Sequence, residues 1–317
     1  MNAARRLAVV AIGGNALIRD QTHLSIPDQY EMVCALAVDI ADMIESGWNV
    51  VVTHGNGPQV GRILMQQEAA AKQVHPMPLD VCGAESQGQI GYLLQVTIGD
   101  VFFERGTERP VVTILTLTRV RPQDPAFRNP TKFVGPFFTE AQAHRREEQR
   151  GWAMKPDPHG GWRRVVPSPR PYSIVETPVI RNLIGDGVIV IASGGGGVPV
   201  IEKGPRLIGK EGVVDKDLAA AILAREVEAE VLLILTDVPR VQRGFGSMMP
   251  EDIERMDVAE AKRLLKRGEF GSGSMGPKIE AAVHFVEDGG ARAVIADLTE
   301  AREALTGTAG TEIVPSS

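Results

Sequence analysis

The chain has 317 residues, about twice a common domain length, and can bury a large core without disulfide or metal staples. With 43% hydrophobic and 23% charged residues it is not a disordered chain. Acidic residues (40) outnumber basic ones (34), and a net charge of −6 argues against general binding to nucleic acid or to an anionic membrane.

Cys34 and Cys82 stand outside any CxxC or Cys/His spacing, so no structural zinc site is expected and both read as buried free thiols. Arg5 and Arg6 before the apolar run Leu7 to Ile12 superficially have the form of an export signal. The run is about half the usual length and Gly13-Gly14-Asn15 ends it, so a cytoplasmic protein is expected. No stretch approaches the roughly 18 apolar residues that span a bilayer.

In chain order, Leu7 to Ile12 (LAVVAI) reads as a buried strand and Pro27 to Ser46 as a helix stopped by Gly47. Asn49 to Thr53 (NVVVT) is a second strand, and Pro58 in the loop His54 to Pro58 can start a helix. Gly83 to Glu104 is largely helical and Val111 to Thr118 (VVTILTLT) a strand. From about Arg119 to Tyr172 the character changes: nine prolines, a charged run and two of the three tryptophans mark a small inserted subdomain. Alternation then resumes: helix Ser173 to Ile184, strand Val188 to Ala192, helix Asp215 to Val227 and strand Val231 to Leu235. Val258 to Arg267 and Pro277 to Glu287 are helical, Ala291 to Leu298 contains a strand, and Glu312 to Val314 is a short edge strand. Apolar strands alternating with helices imply a mainly parallel sheet covered on both faces.

Ligands bind beyond the carboxyl ends of the strands of such a sheet, and the unusual sequences fall there. Gly13-Gly14-Asn15, His54 to Pro58, Ser193 to Gly197 and Thr236-Asp237 each follow a strand. Glycine at a strand-to-helix turn lets backbone N–H groups approach an anion. Gly271 to Gly276 matches GxGxxG but follows a helix, so it is no dinucleotide fingerprint, and with Pro277 before Lys278 and Ile279 after it the stretch is no P-loop. Lys216 and Lys278 both stand at helix starts, where a cation is unfavourable unless an anion is shared. Asp215 reads as an N-cap, and Asp217 could orient lysines or approach a magnesium ion. His54 reads as a structural hydrogen bonder rather than a general base. These parts favour phosphoryl transfer, and an acceptor that is already an oxyanion needs no base.

The residues then match a family. Ala11 to Ala16 (AIGGNA), Thr53 to Gly61 (THGNGPQVG), Ser86 to Tyr92 (SQGQIGY), Pro130-Thr131-Lys132 with Gly135-Pro136-Phe137, and Arg163 to Pro169 (RRVVPSP) are the first matching stretches. Ala192 to Pro199, Val214-Asp215-Lys216-Asp217, Leu235 to Val238 and Gly273 to Lys278 continue the match over essentially the whole chain. The sequence resembles the carbamate kinases, within the amino-acid-kinase fold.

The resemblance implies a three-layer α/β/α sandwich with a mainly parallel central sheet. Its core would comprise residues 1–118 and 173–317, with a protruding lid subdomain at 119–172. It implies a homodimer and reversible Mg²⁺-dependent phosphoryl transfer between ATP and carbamate, running toward ATP from ADP and carbamoyl phosphate. By motif, Lys132, Lys216 and Lys278 would neutralise the transferring group and Asp217 would organise the lysines. Gly13, Gly14, Asn15, Gly55, Asn56 and Gly57 would hold the carbamate end, with Ser193, Gly194, Gly195 and Gly196 on the same rim. Thr236, Asp237, Val238, Met275 and Pro277 would contact the nucleotide. Lys132 would reach the site only when the lid closes. The lid motifs favour carbamate over an amino-acid carboxylate such as acetylglutamate as acceptor. The match breaks at Pro239 and Gln242, beside the nucleotide segment.

Overall fold

A computed structural model describes residues 6–13, 25–158, 160–246, 249–270 and 275–316. The chain begins with β1 (Arg6–Ile12), α1 (Ile26–Glu45), β2 (Trp48–His54), α2 (Gly57–Ala70), α3 (Leu79–Glu104), β3 (Val111–Thr113) and β4 (Leu117–Val120). The middle holds β5 (Lys132–Phe138), α4 (Glu140–Arg150), β6 (Ala153–Pro156), β7 (Trp162–Val166) and β8 (Pro171–Ile174). Next come α5 (Thr177–Gly185), β9 (Ile189–Ile191), β10 (Val198–Lys203), β11 (Arg206–Gly209), α6 (Lys216–Glu226) and β12 (Val231–Thr236). The chain closes with β13 (Val241–Arg243), β14 (Glu251–Ile253), β15 (Arg255–Asp257), α7 (Val258–Lys266), α8 (Met275–Glu287), β16 (Arg292–Asp297), α9 (Ala301–Thr306) and β17 (Thr311–Val314).

Eight strands form the central sheet in the order β15-β17-β16-β12-β1-β2-β9-β3, parallel except where β17 meets β16. The period-2 alternation of each strand separates two apolar layers. Val9, Ala11, Val51, Leu232 and Ile234 pack against α6, α7 and α8. Ala8, Val10, Ile12, Val50, Val52 and Leu233 pack against α1, α3 and α9. The result is a three-layer α/β/α sandwich. Register puts Ile12 opposite both His54 and Leu235, so the loops after β1, β2 and β12 open on one rim. Ala192 N–H donates to Val52 O at 2.9 Å and brings the loop after β9 to the same rim.

Helix starts follow sequence chemistry. Ser25 and Asp28 make a capping box at α1, and Thr139 with Gln142 makes another at α4. Four expectations need correction. The run Val111 to Thr118 is two strands, because the chain leaves the central sheet between them. Gln87 clamps the crossing point, its amide accepting from Thr116 N–H at 2.9 Å and donating to Thr116 O at 3.1 Å. β4 then joins a second sheet, β11-β10-β4-β8. A continuous β-branched run carries no mark of a change of sheet. The helix placed from Ser173 starts at Thr177, because Pro171–Ile174 pairs antiparallel with β4. β17 is not an edge strand; β15 pairs outside it. Of the cysteines, Cys82 is buried but Cys34 is exposed on α1.

Within the proline-rich segment, β5, β7 and β6 form an antiparallel sheet under α4, with Phe138, Ala143 and Met154 packed beside Trp152 and Trp162. Val134 and Val166 reach the body and pack on Val60, Ile63, Leu79 and Cys82. An Arg146–Glu68 ion pair at 2.6 Å adds a second tie to α2.

Candidate functional site

A cavity of about 270 Å³ lies at the rim between the body and the small sheet. Gly55, Asn56, Gly57 and Gly195 line one side, and Lys132 and Arg163 another. Asp215, Lys216, Asp217, Pro277 and Lys278 supply the wall formed by the starts of α6 and α8. Four cations thus face two carboxylates, a balance suited to a phosphorylated ligand.

The lysines converge on one acid. Lys216 Nζ lies 2.6 Å from Asp217 Oδ1, and Lys278 Nζ lies 3.1 Å from Asp217 Oδ2. Asp217 is 3% exposed, so this triad is shielded from solvent on all but the cavity side. Burial alone would push the Asp217 carboxyl up, but the charges and hydrogen bonds of Lys216 and Lys278 outweigh it and hold the pKa below the ordinary value. Burial pulls the Lys216 ammonium down, partly offset by Asp217. The helix that presents them is capped by Asp215, whose Oδ1 accepts from the backbone of Asp217 at 3.0 Å and of Leu218 at 3.4 Å. Lys132 Nζ lies 3.0 Å from the other oxygen of Asp215.

The glycine run after β9 is dictated by contacts. A Cβ on Gly194 would overlap the His54 ring, one on Gly195 the Asn56 amide, one on Gly196 the Val214 carbonyl, and one on Gly197 the Thr118 hydroxyl. Gly195 also has φ +63°, a left-handed conformation that L side chains resist. Asn56 is fixed from behind, its Nδ2 donating to Ser86 Oγ at 2.8 Å. That explains one part of the SQGQIGY block; the Gln87 clamp explains another.

The structure therefore brings together Lys132, Lys216, Asp217, Lys278, Gly55, Asn56, Gly57, Gly195 and Pro277. Gly194 lines an adjoining small recess with Gly195 and Asn56. Gly196 packs behind it against Val214. Ser193 is fully buried beneath the rim, where its backbone N–H donates to Thr116 Oγ1 at 2.8 Å. Gly13 follows β1 on the same rim, a Cβ there standing 3.4 Å from Leu235 O. Thr236, Asp237, Val238 and Met275 are not among the cavity residues; the first three follow one another from the end of β12, beside β1. Gly14 and Asn15 lie outside the described residues, as do residues 271–274 of the Gly/Ser loop. Pro277 is the third residue of α8 rather than its first. Gln242 Nε2 donates to Asp252 Oδ1 at 2.9 Å across the β13–β14 hairpin.

Sequence reasoning missed Arg163. It donates to Gly135 O at 3.1 Å and to the buried Asp157 carboxylate at 3.2 Å, and its guanidinium lies 5.0 Å from the Phe137 ring centroid. The signal was the doubled arginine of RRVVPSP, but only the fold directs one of the two to the cavity.

His54 is 1% exposed and its Nδ1–H donates to Gly55 O at 3.0 Å. Burial lowers its pKa to about 4. A histidine with a depressed folded pKa binds its proton more readily when unfolded. Its contribution is therefore present above pH 6.5 and is lost as pH falls toward 4. The expected loss across that window is about 3 kcal/mol. Urea unfolding of the wild type at pH 7 and pH 4.5, beside His54→Asn, checks this: the variant should lose less stability than the wild type. Equal losses would show that His54 does not carry the effect.

The sequence model of the amino acid kinase family matches residues 6–297. Carbamate kinase of Thermococcus kodakarensis is 49% identical over 310 residues, covering 96% of this chain and 98% of that protein. Carbamate kinase of Pyrococcus horikoshii is 47% identical over 309 residues, covering 97% and 98%. Carbamate kinase from Giardia lamblia bound to AMP-PNP superposes with a TM-score of 0.93 at 40% identity, covering 99% of both chains. Over nearly its whole length, and with its site glycines and lysines held by that fold, the chain belongs to the amino acid kinase family, among the carbamate kinases.

Proposed function

We propose that the chain catalyses reversible phosphoryl transfer between ATP and carbamate, running toward ATP when ADP and carbamoyl phosphate are supplied. The observation that carries this reading is the Lys216–Asp217–Lys278 triad, which faces Lys132 and the amides of Gly55, Gly57 and Gly195 across one cavity. In the direction of carbamate phosphorylation, a carbamate oxygen attacks the γ-phosphorus while the bond to the β–γ bridging oxygen breaks. ADP leaves with that electron pair. The developing charge sits on the equatorial oxygens, where Lys132, Lys216, Lys278 and the glycine amides would neutralise it. Asp217 would hold both lysines at the required spacing.

Carbamate is already an anion, so no proton has to be removed, and buried neutral His54 leaves none of that work undone. The rim after β12, with Thr236, Asp237 and Val238, and the start of α8, with Met275 and Pro277, would take the nucleotide beyond the phosphoryl cavity. Gly13, Gly14 and Asn15 would close the carbamate end, and Ser193, Gly194 and Gly196 would shape its floor. The segment 119–172 would act as the lid on a core of 1–118 and 173–317.

Magnesium follows from the resemblance. Asp215 and Asp217 are committed to lysines and backbone amides, and no cluster of three or more His, Cys, Asp or Glu able to hold a metal occurs among the described residues. This donor set does not fit a protein-held ion. Magnesium would enter on the nucleotide phosphates, as part of the substrate.

A homodimer is supported by α3, which leaves the large apolar side chains of Val81, Tyr92 and Phe103 exposed, the last two at 60% and 76%. Sedimentation equilibrium should give twice 34.1 kDa, and Phe103→Glu should shift the protein toward monomer. A wild-type monomer would overturn the dimer. No helix among the described residues is long and apolar enough to cross a membrane.

The acceptor is tested by supplying ATP with carbamate, generated from ammonium bicarbonate, or with N-acetylglutamate, and following ADP release. Release with carbamate alone is the expected result. Release with N-acetylglutamate alone would move the assignment to another branch of the family.

A further inference from the structure

Asp215 has two jobs on two oxygens. Its Oδ1 caps α6, and its Oδ2 lies 3.0 Å from Lys132 Nζ, which the small sheet contributes from the first residue of β5. Capping needs only an acceptor, and asparagine or serine supplies one as well as aspartate does. The negative charge is surplus to that task. Its side chain is 15% exposed while that of Lys132 is 42% exposed, and the acid is also bonded to the helix start, so it is the more firmly held partner of the pair. The same short segment thus fixes Lys216 and Asp217 through the helix start and Lys132 through the ion pair.

We propose that Asp215 is a positioning residue: its second carboxylate oxygen holds Lys132 over the cavity before the anion arrives, and so sets the closed position of the small sheet against α6. This rests on the phosphoryl-transfer reading for its effect on rate, but not for its effect on closure. A carboxylate beside a phosphate site opposes anion binding, so its loss should not weaken substrate capture. It should slow the chemical step, because Lys132 is no longer aimed.

The test is a double-variant cycle of Asp215→Asn and Lys132→Met. Asp215→Asn keeps the cap, so its melting temperature should match the wild type. Its kcat for ATP formation should fall about tenfold with no rise in KM for carbamoyl phosphate. Lys132→Met should fall further, and the double variant should be no slower than Lys132→Met alone. Hydrogen exchange reads closure without turnover: amides of Lys132–Phe138 should exchange faster in Asp215→Asn, as in Lys132→Met, and no faster in the double variant. Rate losses that multiply, or exchange unchanged in Asp215→Asn, would overturn the proposal. A folded wild type that makes no ATP would instead overturn the functional reading, leaving the exchange cycle to decide the role of Asp215.

Discussion

Replacing Lys278 with methionine lowers kcat about 10³-fold while the KM for ADP changes little. Methionine keeps the apolar stem that packs at the start of α8 and removes only the charge. Lys278 is 7% exposed and lines the cavity, so its ammonium acts in a poorly solvated space where one charge counts for more than it does in water. The substitution also leaves Asp217 with Lys216 as its one remaining cation among these contacts, at a cost of up to about 3 kcal/mol. Steady-state kinetics beside a thermal melt separates the two effects. A folded variant with nearly wild-type kcat would remove Lys278 from the machinery.

Gly195→Ala is the second large effect, and it acts on both stability and rate. At φ +63° an alanine costs about 1 kcal/mol. Its Cβ would also overlap the Asn56 amide, displacing the bond from Asn56 to Ser86 for about another 1 kcal/mol. Because both residues line the cavity, kcat/KM should fall about 10²-fold. Gly185→Ala is the contrast. Gly185 is the exposed last residue of α5, with nothing within 4 Å of a Cβ, so alanine there should leave stability unchanged or raise it by up to about 0.5 kcal/mol. Chemical denaturation of both variants checks the pair. A Gly195→Ala protein as stable and active as the wild type would show that the close approach to Asn56 is not required.

The elements legible in the sequence were those whose pattern is local. The β1, β2 and β12 runs are continuous and apolar because both faces of the sheet are covered, and Asp215 announces the start of α6 by its own chemistry. What escaped was whatever depends on partners distant in sequence. Thr116 lies between β3 and β4, where the chain changes sheet, and it is gripped there by Gln87 from α3, 29 residues earlier in sequence. β15 displaces β17 from the edge through pairing that neither short segment advertises. At the site, Lys216 and Lys278 drew notice because cations at helix starts need an anion, and Asp217 is that anion. Arg163 and the second role of Asp215 were hidden, since each depends on where the small sheet docks.

The most direct test of phosphoryl transfer at the Lys216–Asp217–Lys278 cavity is a ³¹P NMR time course with the full chain, ADP, magnesium and carbamoyl phosphate. The expected result is loss of the carbamoyl phosphate resonance with matching growth of the γ-phosphate of ATP, abolished by Lys278→Met. Inorganic phosphate growing in place of ATP, or no change from a folded protein that binds ADP, would contradict it.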